Sequence, residues 1–216
     1  MGIASYRDLQ RKTPATADAR QSAYVNCVAR AITAQIGGST QWEVTVFESK
    51  DVNAFALPGG KIGVYTGLLK VATNQDQLAA VIGHEVSHVL ANHSAERLSD
   101  QMAAGLGAQV AGAYTGVDPQ LYAMAGNVFF LLPFSRSHES EADLLGMDLM
   151  ARAGFDPRQS INLWQNMARQ SGNKPAEFMS THPSDETRIR QLSERLSTAM
   201  PLYEQAQATG RRPQCS

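Results

Sequence analysis

Two cysteines in 216 residues exclude a cysteine-based zinc ribbon and a disulfide-dense scaffold. Cys27 and Cys215 stand near opposite ends and neither has metal-ligand spacing. They either bridge, closing a long loop, or remain free thiols; we expect the bridge. Basic runs, RNP-like patterns and Cys/His finger spacing are all missing, and the formal net charge is −1, so there is no footing for nucleic acid. Long apolar runs are missing too. Residues 101–135 hold a single charge, Asp118, but each uncharged run is about 17 residues and the first is only weakly apolar, short of a membrane span. Two helices joined near Gly116 to Pro119 fit that stretch, as a lid or wall over a cleft, as core helices, or as a membrane-facing patch. No internal repeat or low-complexity tract suggests an array.

What remains is a chain with 43% hydrophobic residues, enough to bury one core. Residues 1–17 read as a flexible tail, 18–200 as one domain and 201–216 as a second tail. Asp18 to Ile36 reads as an amphipathic helix with Tyr24, Val25, Val28, Ile32 and Ile36 inward. Glu43 to Phe47 alternates and is a strand. Ala54 to Leu57 and Ile62 to Tyr65 flank Pro58-Gly59-Gly60, a turn signal that makes them a hairpin. Ile62, Gly63, Val64 and Tyr65 are expected to form an exposed edge strand against which an extended peptide binds. Pro157 to Gln170 and Asp185 to Met200 read as further helices, with Gly154-Phe155-Asp156-Pro157 as a break and Ser171 to Pro175 as a loop.

The chemistry lies in three segments. His84-Glu85-Val86-Ser87-His88 continues a helical pattern that begins at Gln75. Residues four apart share a helix face, so His84 and His88 can present two imidazoles to one Zn2+ while Glu85 stands beside them as general base. Chance gives this pattern about once in two hundred chains of this composition, so coincidence is a poor explanation. A third ligand is needed. Ala91 and Ser94 occupy the positions where a HExxHxxGxxH pattern requires Gly and His, which rejects that class. His93 is one residue out of phase and reads as structural or exposed.

Ser135 looks like a helix start, and Glu139 and Asp143 then share a face. Glu139 is the expected third ligand and Asp143 the acceptor for the outer N–H of a metal-bound histidine. Glu141 is about 200° from Glu139 around the helix and should point elsewhere. The alternative is an acidic first turn that complements the helix dipole. In Ser180 to Arg188, His182 and Arg188 are candidates for stabilising an oxyanion; the alternative is a His-Pro turn and cap.

These segments, HExxH, the ExxxD of Glu139 to Asp143 and the HPxxxxR of His182 to Arg188, together with Asn53 to Ile62, resemble the zinc metallopeptidase family of the CAAX prenyl protease and HtpX. The pattern also resembles the family's soluble periplasmic branch, with BepA and LoiP. The resemblance runs from about Trp42 to Leu196. It implies a mainly helical α+β zincin of the gluzincin type, with a small mixed sheet packed on the HExxH helix. It implies an endopeptidase with one Zn2+, with His84, His88 and Glu139 as ligands and Glu85 as base. His182 matches a histidine that either supports the oxyanion or occupies the open zinc position in a latched state, with Arg188 beside it. The implied substrates are unfolded or misassembled envelope proteins. The implied partners are outer-membrane proteins or their assembly machinery. The implied home is the periplasm, with attachment to the outer membrane through a removed export segment.

Overall fold

The computed structural model describes residues 2–97, 99–100, 134–170, 177–183 and 186–215. Seven helices are named among them: α1 Gly2–Lys12, α2 Ala19–Thr33, α3 Gln75–Leu90, α4 Arg136–Ala153, α5 Arg158–Gln170, α6 Glu177–Thr181 and α7 Glu186–Ala208. Three strands, β1 Glu43–Phe47, β2 Ala54–Leu57 and β3 Lys61–Tyr65, form one sheet in the order β1-β3-β2. The two helices expected over 101–135, apart from Phe134 and Ser135, and the loop from Ser171 to Pro175 lie outside the described residues. No helix among the described residues is long and apolar enough to cross a membrane.

The sheet is mixed. β2 and β3 form the expected hairpin, antiparallel from Ala54↔Val64 to Leu57↔Lys61, and Gly59 and Gly60 take the turn with φ of 92° and 75°. β1 runs parallel to β3 on its other side. The pleat sorts side chains by face. Val46, Ala54, Ala56, Ile62 and Val64 point into the main core with α2, α3, α4, α5 and α7. Phe47, Phe55, Leu57 and Tyr65 point the other way, into an aromatic cluster with Tyr6.

β3 is therefore the central strand, and this corrects the edge-strand expectation for Ile62, Gly63, Val64 and Tyr65. Both neighbours consume its backbone groups, and Gly63 lies under the Phe55 ring. The outer strand on the hairpin side is β2.

The two tails are also revised. Residues 2–12 are helical because Tyr6, 1% exposed, docks among Phe47 and Phe55 and its hydroxyl donates to Thr45 Oγ1 at 2.6 Å. Downstream, α7 continues through Pro201 to Ala208, with Ala206 buried and Leu202 and Tyr203 packed on the core. The following strand of chain is held: Gln75 Nε2 donates to Pro213 O, Cys215 N donates to Gln75 Oε1, and Cys215 is bridged to Cys27. The expected disulfide is present.

Helix ends follow local chemistry. Asp18 caps α2 by accepting from Arg20 N and Gln21 N, and Asn74 caps α3 by accepting from Gln77 N. Ser135 caps α4, accepting from His138 N, and Gly154 ends it with φ of 93°. α2 ends three residues before Ile36, which still packs on the core. The pair that positions the site is α3 on α4. A Cβ on Gly83 would meet Gly146 O at 2.8 Å, and one on Gly146 would meet His84 N at 2.7 Å. Only glycine at both positions lets the backbones approach this closely. Arg195 of α7 ties down α4 from the far side through Asp148, donating at 3.0 Å from Nε.

Candidate metal centre

His84 and His88 sit on successive turns of α3 and face α4. Their Nε2 atoms are 3.1 Å apart. Glu139, in the first turn of α4, brings Oε1 to 3.4 Å from His88 Nε2 and Oε2 to 3.5 Å from His84 Nε2. His182, just past α6, adds its ring from a third direction, with Nδ1 2.9 Å from Glu139 Oε1 and 3.2 Å from His84 Nε2. One donor atom from each of these four residues lies within 4.8 Å of all the others, and all four residues are buried. Among the described residues this is the one such group.

Two imidazoles and a carboxylate converging on one point suit a metal ion, and this donor set suits zinc. A second observation bears on the fit. Asp143 Oδ1 lies 2.9 Å from His84 Nδ1, and a carboxylate only accepts, so that nitrogen carries the proton and Nε2 keeps its lone pair. The lone pair points into the cluster. Glu85 Oε1 is buried there as well and makes no hydrogen bond among the described residues, though it lies 3.3 Å from His182 Nε2. Acceptor atoms gathered this densely out of water call for a cation.

Electrostatics are consistent with that. Burial alone would raise the Glu139 carboxyl, but the His182, His88 and His84 rings beside it hold it below the usual carboxylate range. Burial likewise opposes ionisation of Asp143, and Arg188 outweighs it. Arg188 donates to Asp143 from Nε at 2.6 Å and Nη2 at 2.8 Å, and its Nη1 lies 2.7 Å from Glu139 Oε2. The same Nη1 donates to Pro183 O at 2.9 Å, so Arg188 also holds the turn that carries His182. Burial pushes the Glu85 carboxyl up and the His88 imidazole well down.

The structure thus brings His84, Glu85, His88, Glu139, Asp143, His182 and Arg188 to one place. The cleft beside them is lined by Asn53, the β2 residues Ala54 to Leu57, Ser94, Arg97, Phe134 and Thr181. Ile62 to Tyr65 are not part of it. Sequence reasoning missed three groups. Phe134 stacks on His88 at 3.9 Å between ring centroids, and the Arg97 guanidinium lies 4.0 Å over the same Phe134 ring. His93, read as structural or exposed, is 1% exposed and its Nδ1 lies 3.0 Å from His88 Nδ1. Glu141 does point away from the cluster, and it reaches His93 Nε2 at 3.3 Å.

Comparison with known sequences agrees with the resemblance in the motifs. Residues 18–196 match the family described as peptidase family M48. The chain belongs to peptidase family M48. Among M48 relatives, it is 41% identical over 179 residues to the mitochondrial metalloendopeptidase OMA1 of Schizosaccharomyces pombe, covering 82% of this chain and 53% of that protein. It is 38% identical over 182 residues to OMA1 of Arabidopsis thaliana, covering 83% of this chain and 37% of that protein. It is 26% identical over 219 residues to the beta-barrel assembly-enhancing protease of Escherichia coli K12, covering 95% of this chain and 45% of that protein. The chain spans about half or less of the length of these M48 relatives.

Proposed function

We propose that this M48 chain is a zinc-dependent endopeptidase that hydrolyses peptide bonds in unfolded or misassembled proteins. The observation that carries the reading is the convergence of His84, His88 and Glu139 donors beside a buried, unbonded Glu85 oxygen. His84, His88 and Glu139 would hold the metal, with Asp143 and Arg188 fixing His84 from behind. Zinc, when bound, supplies a Lewis acid that polarises the scissile carbonyl and makes water acidic enough to attack near neutral pH. Glu85 takes the proton of the attacking water and passes it to the leaving amine. Its raised pKa brings the carboxylate nearer the pH at which both transfers are balanced. His182 is placed to donate to the oxyanion that forms at the carbonyl.

An extended substrate would lie along β2, whose residues line the cleft next to Glu85 and His182. Recognition through backbone bonds tolerates many sequences, which suits an unfolded client. The Cys27–Cys215 bridge favours an oxidising compartment. With the similarity to the beta-barrel assembly-enhancing protease, it supports a periplasmic role in envelope quality control, where outer-membrane proteins or their assembly machinery are the partners. The similarity to mitochondrial OMA1 makes a mitochondrial role the alternative.

A second reading rests on His182. Its Nδ1 sits among the donors rather than behind them, 2.9 Å from Glu139 and 3.2 Å from His84. In that position it latches the centre, and the chain would act mainly as a chaperone or assembly factor until His182 withdraws. The test is casein cleavage by wild type, Glu85→Gln and His182→Ala, with bound zinc quantified in each. Zinc in all three, with cleavage abolished in E85Q and reduced in H182A, supports the protease reading. Cleavage that appears only in H182A supports the latch. Zinc-free wild type from a zinc-replete preparation overturns both.

A further inference from the structure

We propose that His93, backed by Glu141, is a positioning residue that holds His88 in the tautomer presenting Nε2 to the metal. This rests on the metal reading above, and concerns groups outside the donor cluster.

The proton order can be read from the end of the chain inward. Glu141 Oε2 lies 3.3 Å from His93 Nε2. A carboxylate accepts, so His93 Nε2 carries the proton and the Nδ1 of the neutral ring is an acceptor. That Nδ1 is 3.0 Å from His88 Nδ1, and two acceptors do not pair, so His88 Nδ1 donates. His88 Nε2 then keeps its lone pair, facing the Nε2 of His84. Without His93, either tautomer of His88 is open, and half the options turn an N–H toward the metal position. A donor histidine with its outer N–H fixed binds metal more tightly.

The surroundings are built to hold this ring. α3 stops at Leu90, and Asn92 takes a left-handed φ of 58°. That turn folds His93 back under His88, which an uninterrupted helix would not do at a spacing of five. His93 is also stacked on His138, with centroids 4.3 Å apart and planes at 16°, and His138 Nε2 is held 3.0 Å from Glu96 Oε2. His93 belongs to no group of converging donors among the described residues, so its place is behind His88 and not on the metal.

The test uses metal-free whole chain, with zinc affinity read by competition with a chromophoric chelator and the His88 tautomer read by long-range 1H–15N spectra. His93→Phe keeps the ring and the stack and removes the acceptor. It should weaken zinc roughly 10- to 100-fold, the usual cost of losing such a partner, and should convert His88 from a fixed Nδ1–H form to a mixture. Equal zinc affinity and an unchanged His88 signal in H93F overturn the inference. Should H93F fail to fold, Glu141→Leu decides, because that side chain is 59% exposed and tolerates replacement. Weakened zinc in E141L, recovered in Glu141→Gln, supports the relay; wild-type affinity in E141L overturns it. Wild type without zinc affinity removes the metal reading and this inference together, whereas tight wild-type binding with no change in H93F removes only the inference.

Discussion

The two histidines of the HExxH turn are supported by different chemistry. Behind His84 stand Asp143 and Arg188, both buried, joined by two charge-assisted hydrogen bonds and covered where Arg188 lies 4.0 Å over the Trp164 ring. Behind His88 stands His93, and behind that a carboxylate that is 59% exposed. The first support links α3, α4 and α7, so it is part of the packing of the whole domain. The second is local, drawn from residues 88–93 and 138–141. One support is expensive to break because it leaves buried charge; the other ends at an exposed carboxylate, whose loss strands no charge in the core. The His84 side should therefore govern stability and metal binding together. The His88 side should govern metal binding with little effect on stability.

The largest expected effect tests the first half of that contrast. Arg188→Gln leaves Asp143 and Glu139 buried without their shared cation. It should cost about 3–5 kcal/mol of stability, the range for breaking one partner of a buried ion pair, measured by urea unfolding of the metal-free protein. The gap should depend on pH in a defined direction. Against the opposing effect of burial, Arg188 and His84 hold Asp143 below its ordinary value of 3.8. A depressed carboxyl contributes stability that is present above its unfolded pKa and is lost as pH falls through the folded one. Wild type and R188Q should thus differ fully at neutral pH and converge only below the ordinary Asp range. A difference under about 1 kcal/mol at pH 7 would place the pair among those that contribute little.

Why one support was legible in the sequence and the other was not follows from the same contrast. His84, His88, Glu139 and Asp143 are spaced by four, so helical periodicity alone puts each pair on one face. The Pro-Gly-Gly turn between β2 and β3 was legible because glycine at positive φ is a local requirement. His93 fails the spacing rule, and its role depends on a left-handed Asn92 that no periodicity reveals. The order of the sheet was hidden for a related reason. The parallel pairing of β1 with β3 is a long-range choice, so the hairpin gave no sign that β3 would be the central strand. Tyr6 is the same case: one aromatic side chain among Arg7, Asp8 and Arg11 gives a weak local signal, and its partner Thr45 is 39 residues away.

An intermediate effect tests whether the turn itself carries the His88 support. Asn tolerates the left-handed region and a β-branched residue does not. Asn92→Val should cost about 1–2 kcal/mol, read as a lowered midpoint of thermal unfolding, and should weaken zinc in parallel because His93 is displaced. Asn92→Gly should retain both. If N92V loses stability while zinc affinity holds, the turn is a structural feature only, and His93 reaches His88 by other constraints.

The smallest effect separates the hydrogen bond from the stack. His138→Leu removes the ring that lies flat on His93 and the contact with Glu96, an exposed partner. A ring pair of this kind contributes about 0.5–1.5 kcal/mol beyond its burial, and leucine recovers part of the burial. The stability change should therefore stay near or under about 1 kcal/mol, and zinc affinity should fall by less than in H93F, because His93 Nδ1 still accepts from His88. The order of the two variants in the chelator titration is the informative quantity. H138L equal to or worse than H93F would mean that the stack sets the His88 ring and the hydrogen bond merely accompanies it, which would make the His88 side a packing device rather than a proton-ordering one.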